Sequence, residues 1–289
     1  MTHISHGEMS LAGKRSLPCI WLDNTQVKLA ITTDCGPRAI WWGLSNGDNI
    51  LAELPDANVE TPFGPYHFLG GHRFWHAPEA LNRTYHDPQP LNVATTANSV
   101  TITPPPDASG IVRALCFEMQ ADAPIVTVTH TLTNAGLWPA TLAPWALSMC
   151  KLGGTVLLPQ ATTKADADGL LPNQRYSFWP YTNLTDGRID LGREMSRVHC
   201  KPGPPNKLGY RNVHGWIAYQ LGQVQFTKRF DPRLDADHPD FGCNTECYCC
   251  ETFVELETLG PLRSLAPGAS VSHVETWELV KFAAKTSDI

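Results

Sequence analysis

The stretch LGGHRFWHAPE, Leu69 to Glu79, sets two histidines, an arginine, a tryptophan and a glutamate within eight residues, His72 to Glu79. Those side chains serve two different ends. As chemistry, His72 or His76 is a general acid near neutral pH and Arg73 a clamp for an anion or a hydroxyl. Trp75 then offers a flat apolar platform for the C–H face of a sugar ring. As structure, Gly70-Gly71 makes a turn, Arg73 pairs with Glu79, and Trp75 fills the core.

A second concentration of reactive groups is ETFVELETLGP, Glu251 to Pro261. Read as a regular strand, it puts Glu251, Phe253, Glu255 and Glu257 on one face and Val254 and Leu256 on the other. Alternate carboxylates then stand roughly 7 Å apart. Mutual repulsion and partial burial raise carboxylate pKa values, which is how a base is poised near neutrality. The plain alternative is a solvated outer face, although glutamate is a poor strand former. Close by, FGCNTECYCCE holds Cys243, Cys247, Cys249 and Cys250 without the paired knuckle spacing of structural zinc, so buried, inert thiols and no metal are expected. His130 lies on the apolar face of its own segment and reads as a core histidine.

The elements that must position these groups are strands. Gln26 to Thr32, Ile125 to Asn134, Gln223 to Phe230 and Val271 to Leu279 all alternate with period two. Helical candidates are confined to a short piece near Ala77–Asn82 and the tail after Lys281. From about Gln160 to Tyr210 the strand rhythm fades into Asp, Gly, Asn, Pro and Arg, a long excursion of the kind that is functional when ordered. An all-β chain follows, a single sandwich domain over residues 1–289.

Composition removes several classes of function. The net charge of −6, with no Lys/Arg cluster, argues against nucleic acid. No apolar run approaches the ~18 residues of a membrane span, and the N-terminal segment lacks the apolar stretch of a signal peptide. Nine cysteines, an odd number without a spaced framework, fit reduced thiols in a cytoplasm. There is no GxSxG elbow, phosphate loop or dinucleotide fingerprint.

Four blocks carry a resemblance: GGHRFWHAPE, HTLTNAGLWPATLAPWALSM, LLPNQRYSFWPYT and FVELETLGPLRSLAPGASVSHVETWEL. In content and order they are similar to recurrent blocks of a branch of the galactose-mutarotase-like (aldose 1-epimerase-like) superfamily, over most of Gln26 to Lys281. That resemblance implies a large antiparallel β-supersandwich acting on a saccharide, with no cofactor and no metal, as a monomer or homodimer. In such mutarotases a late glutamate takes the proton of the anomeric hydroxyl and a histidine protonates the ring oxygen. The ring opens, the C1–C2 bond rotates, and the ring closes on its other face.

Residue by residue, the resemblance carries the base onto Glu257, with Glu255 as the near alternative, and a substrate-binding arginine onto Arg73. Trp75, Trp145, Trp179, Tyr181 and Lys207 would shape the site. The usual histidine position reads LAPWALSM here, with Trp145 and Ser148, so His72 or His76 would have to supply the acid. Two other functions stay open: a carbohydrate-binding or sensing protein without turnover, and a lyase or hydrolase on an acidic saccharide held by Arg175, Arg188 and Lys207.

Overall fold

Alternation of apolar residues sets nearly every element. In the computed structural model, which describes residues 1–282, Ile125–Asn134 is a strand with Val126, Val128, His130 and Leu132 buried and the intervening threonines half-buried. The long last strand Ser270–Lys281 obeys the same rule, whereas Val27–Thr32 is buried on both faces except at Lys28 and Val224–Phe230 buries Thr227 along with Phe226, Lys228 and Phe230. The expected helix near Ala77–Asn82 is absent. Ala77 ends the strand Gly64–Ala77, and only a single turn follows, closed by Thr84 N–H donating to the Ala80 carbonyl at 2.8 Å. The tail beyond Phe282 lies outside the described residues.

Two antiparallel sheets of twelve and ten strands pack face to face. In the larger sheet, five neighbours concern the site, in spatial order Gly64–Ala77, Ala140–Cys150, Val254–Leu259, Thr245–Cys249 and Asn206–Tyr210. In the smaller sheet, Val224–Phe230, Ser270–Lys281 and Ile125–Asn134 run side by side behind them. One apolar cluster joins the two, with Phe226 edge to face against both Trp42 and Trp277, which are tilted toward each other. Among the described residues no helix is long and apolar enough to cross a membrane.

Gly70 and Gly71 are not a turn. They kink one long strand where it changes partner: residues 64–70 pair with Glu53–Thr61, and residues 71–77 pair with Ala140–Cys150. Both have positive φ, and a β-carbon on them would fall 2.0 Å from the Ala52 carbonyl oxygen or 2.2 Å from that of Ala39. Only glycine fits there.

The Gln160–Tyr210 excursion is more ordered than its composition suggests. It contains the strands Tyr176–Phe178, Ile189–Asp190, Met195–His199 and Asn206–Tyr210, which extend the far edges of both sheets.

Candidate active site

Pairing register decides which side chains meet. One row across the larger sheet reads Arg73, Leu147, Glu257, Glu246, Gly209; the next reads Gly71, Met149, Glu255, Tyr248, Lys207. Trp75 sits opposite Trp145 one step further along. Because side chains alternate across a strand, Arg73, Trp75, Glu255, Glu257, Glu246 and Lys207 share the outer face, away from the second sheet.

Here the sheet is concave and forms a cleft of about 630 Å³. Arg73, Trp75, Trp145, Tyr181, Lys207, Tyr248, Phe253 and Glu255 line it, with Phe68, Glu79 and Tyr85 at one side and Pro204 and Pro205 at the other. The excursion thus supplies one wall through Tyr181, the two prolines and Lys207. Trp179 lies outside the wall and covers Lys207 from the side, its ring 4.6 Å from the ammonium. Gly209 leaves it room, since a β-carbon there would sit 3.1 Å from Trp179 and 2.8 Å from the Cys243 sulfur.

Two cations face three carboxylates. Arg73 Nη2 pairs with Glu255 Oε1 at 2.7 Å, and its guanidinium lies 4.1 Å from the Trp75 ring. Lys207 Nζ bridges Glu246 Oε2 at 2.7 Å and Glu257 Oε2 at 2.9 Å. Trp145 Nε1–H donates to that same Glu257 oxygen at 2.8 Å. Burial lifts the Glu255 carboxyl above its ordinary range, against the pull of Arg73. Burial alone would strip Lys207 of its proton, but Glu246 and Glu257 hold its pKa well above the usual value. Arg73 Nε and Nη1, Trp75 Nε1 and Glu257 Oε1 have no hydrogen-bond partner although buried. Such unspent donors and acceptors are uncommon in folded proteins and call for a ligand rich in polar groups or for ordered water.

The residues singled out from sequence divide cleanly. Arg73, Trp75, Trp145, Tyr181, Lys207 and Glu255 are brought together around the cleft. Glu257, on the same face, is wholly buried and does not line the cleft, locked by Trp145 and Lys207. Glu251 precedes the strand, which begins at Val254, and is exposed in the turn. Glu79 accepts from the Tyr85 hydroxyl, leaving Arg73 to Glu255. Arg175 is exposed, donates to the Phe241 carbonyl at 3.2 Å and lines a separate groove with Lys164 and Arg211. Arg188 is tied to Asp186 at 2.6 Å and is also outside the cleft. Sequence reading passed over Glu246 and Tyr248, whose signal was the same period-two alternation, hidden among the cysteines of TECYC. The thiols of Cys247 and Cys249 point into the core, and all nine cysteines are free.

His72 and His76 correct the expectation that one of them is the acid of this site. Both lie on the opposite face of their strand from Arg73 and Trp75, and both are buried. His76 meets Asp107 at 3.3 Å. His72 enters a polar chain between the sheets, where the His273 carbonyl can only accept and so fixes every tautomer. Ser148 O–H donates to His72 Nδ1 at 2.9 Å, His72 Nε2–H to His130 Nε2 at 2.8 Å, and His130 Nδ1–H to that carbonyl at 3.0 Å. Beside it, Lys228 pairs with Glu275 at 2.9 Å, Trp277 Nε1–H donates to Glu275 Oε2 at 2.7 Å, and Thr258 links Glu275 to His273. His72, His130 and Glu275 offer ligand atoms within 4.8 Å of one another. Yet the imidazole nitrogens are engaged and Lys228 already neutralises Glu275, so this set is complete as a hydrogen-bonded core and fits a divalent ion poorly.

Burial pushes His72, His130 and His273 down, His130 to about 4 and His273 to about 3, so these three stay neutral when folded. Unfolded, each takes up a proton near pH ~6.5. Stability is therefore full above about pH 6.5 and falls as pH drops toward the folded values. The melting temperature should decline steeply between about pH 6.5 and 4; a flat profile there would contradict the neutral-histidine core.

The sequence matches no family model, and no curated protein is similar to it. Solved structures do resemble it. A TPR-domain containing protein from Parabacteroides distasonis superposes on 100% of this chain with a TM-score of 0.59 at 14% identity; the chain spans 57% of that protein. A galactose mutarotase-like protein from Lactobacillus casei gives 0.59 at 10% identity, over 91% of this chain and 100% of its own. The galactose mutarotase related enzyme from Lactobacillus acidophilus gives 0.53 at 9% identity, over 93% and 99%. At these identities the likeness is one of architecture: the chain has the antiparallel supersandwich fold of galactose mutarotase-like proteins.

Proposed function

We propose that the outer cleft of the larger sheet binds a small saccharide and interconverts its anomers by acid–base ring opening. One observation carries this reading: Glu255, a carboxylate lifted by burial, stands in an aromatic wall between Arg73 and Lys207. Aromatic rings take the apolar faces of a sugar, while the unspent donors of Arg73 and Trp75 take its hydroxyls. In this reading Glu255 receives the anomeric proton, and Glu257 steadies Trp145 and Lys207 from below. The fold's likeness to proteins described as mutarotase-like agrees with the same chemistry.

A second reading, saccharide binding without turnover, draws on the absence of any histidine from the cleft wall. The acidic-saccharide lyase or hydrolase loses support, since Arg175 and Arg188 lie outside the cleft and Arg73 and Lys207 already face carboxylates. Saturation-transfer NMR on a panel of aldoses separates the first two. The isomerase accelerates exchange between the anomers of at least one sugar. A sugar that raises the melting temperature with no exchange by the wild-type protein would make it a binding protein instead.

A further inference from the structure

Three carboxylates and two cations cannot all be charged in a buried site without leaving one negative charge uncompensated. Arg73 and Glu255 form one pair, so the imbalance falls on Lys207, which stands between Glu246 and Glu257. The two glutamates are not equivalent. Ionised Glu257 is held by both Lys207 and the Trp145 indole, whereas among the described residues the only cation at Glu246 is the shared Lys207. Glu246 is also fully buried and lacks any hydrogen-bond partner of good geometry for either oxygen. Around it lie the carboxylates of Glu257 and Asp240, whose charges disfavour its ionisation, and the Cys243 thiol. Burial together with the Glu257 charge pushes its carboxyl well above the ordinary range, Lys207 notwithstanding, which leaves the Glu257 carboxylate as the counter-charge of the Lys207 ammonium.

From this arrangement we infer that Glu246 is a protonated reserve behind Lys207, and that Lys207 is the group that protonates the ring oxygen where no histidine is available. The inference rests on the isomerase reading of the cleft. The step balances without any co-reactant. Glu255 accepts the proton of the anomeric hydroxyl, the C1–O bond becomes a carbonyl, and the bond from C1 to the ring oxygen breaks. The ring oxygen takes a proton from the Lys207 ammonium. Glu246, 2.7 Å from Lys207 Nζ, returns a proton to the amine and becomes a carboxylate. Closure on the other face of the carbonyl runs each transfer backwards. Lys207 is then the catalytic residue, and Glu246 a positioning and proton-holding residue that does not touch the sugar.

The test has a readout that does not need turnover. Infrared difference spectra at neutral pH of wild type and Glu246→Gln should differ by the C=O stretch of a protonated carboxylic acid, present only in wild type. On an aldose that the wild type turns over, Glu246→Gln should lower kcat by about 100-fold with KM little changed. Glu246→Asp, which keeps an acid one methylene shorter, should retain the band and recover part of kcat. It also guards against reading misfolding as loss of a proton. Turnover in wild type without the band, or a band unchanged by Glu246→Gln, would overturn the reserve. A band without turnover of any aldose would overturn the transfer step together with the isomerase reading.

Discussion

Replacing Glu255 by glutamine is expected to slow anomer exchange by at least about 100-fold while leaving the fold intact. The amide keeps the shape and still offers Arg73 an oxygen in place of the one now 2.7 Å away, so packing should survive. What it removes is the ability to accept a proton. Burial raises the carboxyl of Glu255, which places it nearer the working pH of a general base than an exposed glutamate. Glu257→Gln is the necessary companion. It removes a counter-charge of Lys207 and weakens the hold on Trp145, but Glu257 does not itself line the cleft, so its loss of rate should be smaller. A normal rate in Glu255→Gln with abolition in Glu257→Gln would put the base at Glu257, where the sequence resemblance alone placed it.

Lys228→Met should destabilise the protein by about 3–5 kcal/mol. Both Lys228 and Glu275 are completely buried, and the ammonium also donates to the Leu256 carbonyl at 3.0 Å. Burial alone would raise the Glu275 carboxyl, yet Lys228, His130, His273 and the Thr258 hydroxyl together outweigh it and hold it at about 2. Methionine fills nearly the same space, so the loss measures an uncompensated buried charge rather than a cavity. Adding Glu275→Gln should recover much of the loss, because the remaining groups are then neutral and still hydrogen-bonded. Urea unfolding of the four proteins of this cycle gives the coupling directly. A single-variant loss below about 1 kcal/mol would mean that water or a rearranged partner solvates Glu275.

Much of the architecture was legible because it rests on alternation, which is local. The strand Ile125–Asn134 has the bounds and faces that its apolar period predicts, and Val254 and Leu256 enter the core as expected. What alternation cannot give is which face of a strand looks at the other sheet once neighbouring positions are equally polar or aromatic. His72, Arg73, Phe74, Trp75 and His76 are all buried, so composition gave no direction, and the histidines proved to face inward. Register is the second loss. Glu246 meets Glu257 only because a tight reversal at residues 250–253 aligns two strands, and no spacing rule links those residues to Lys207. The Gln160–Tyr210 excursion does supply Tyr181 and Lys207 to the cleft, but its Arg175 and Arg188 were chosen for charge, which says nothing about the Asp186 waiting for one of them.

In the proposed reading the outer cleft, rather than the histidine chain between the sheets, holds the ligand. A crystal structure of the protein soaked with whichever aldose most raises its melting temperature tests it directly. A sugar ring is expected against Trp145 and Tyr181, with a hydroxyl at the anomeric carbon on Glu255 and the ring oxygen toward Lys207. A sugar bound elsewhere, with Arg73, Glu255 and Lys207 untouched, would contradict it.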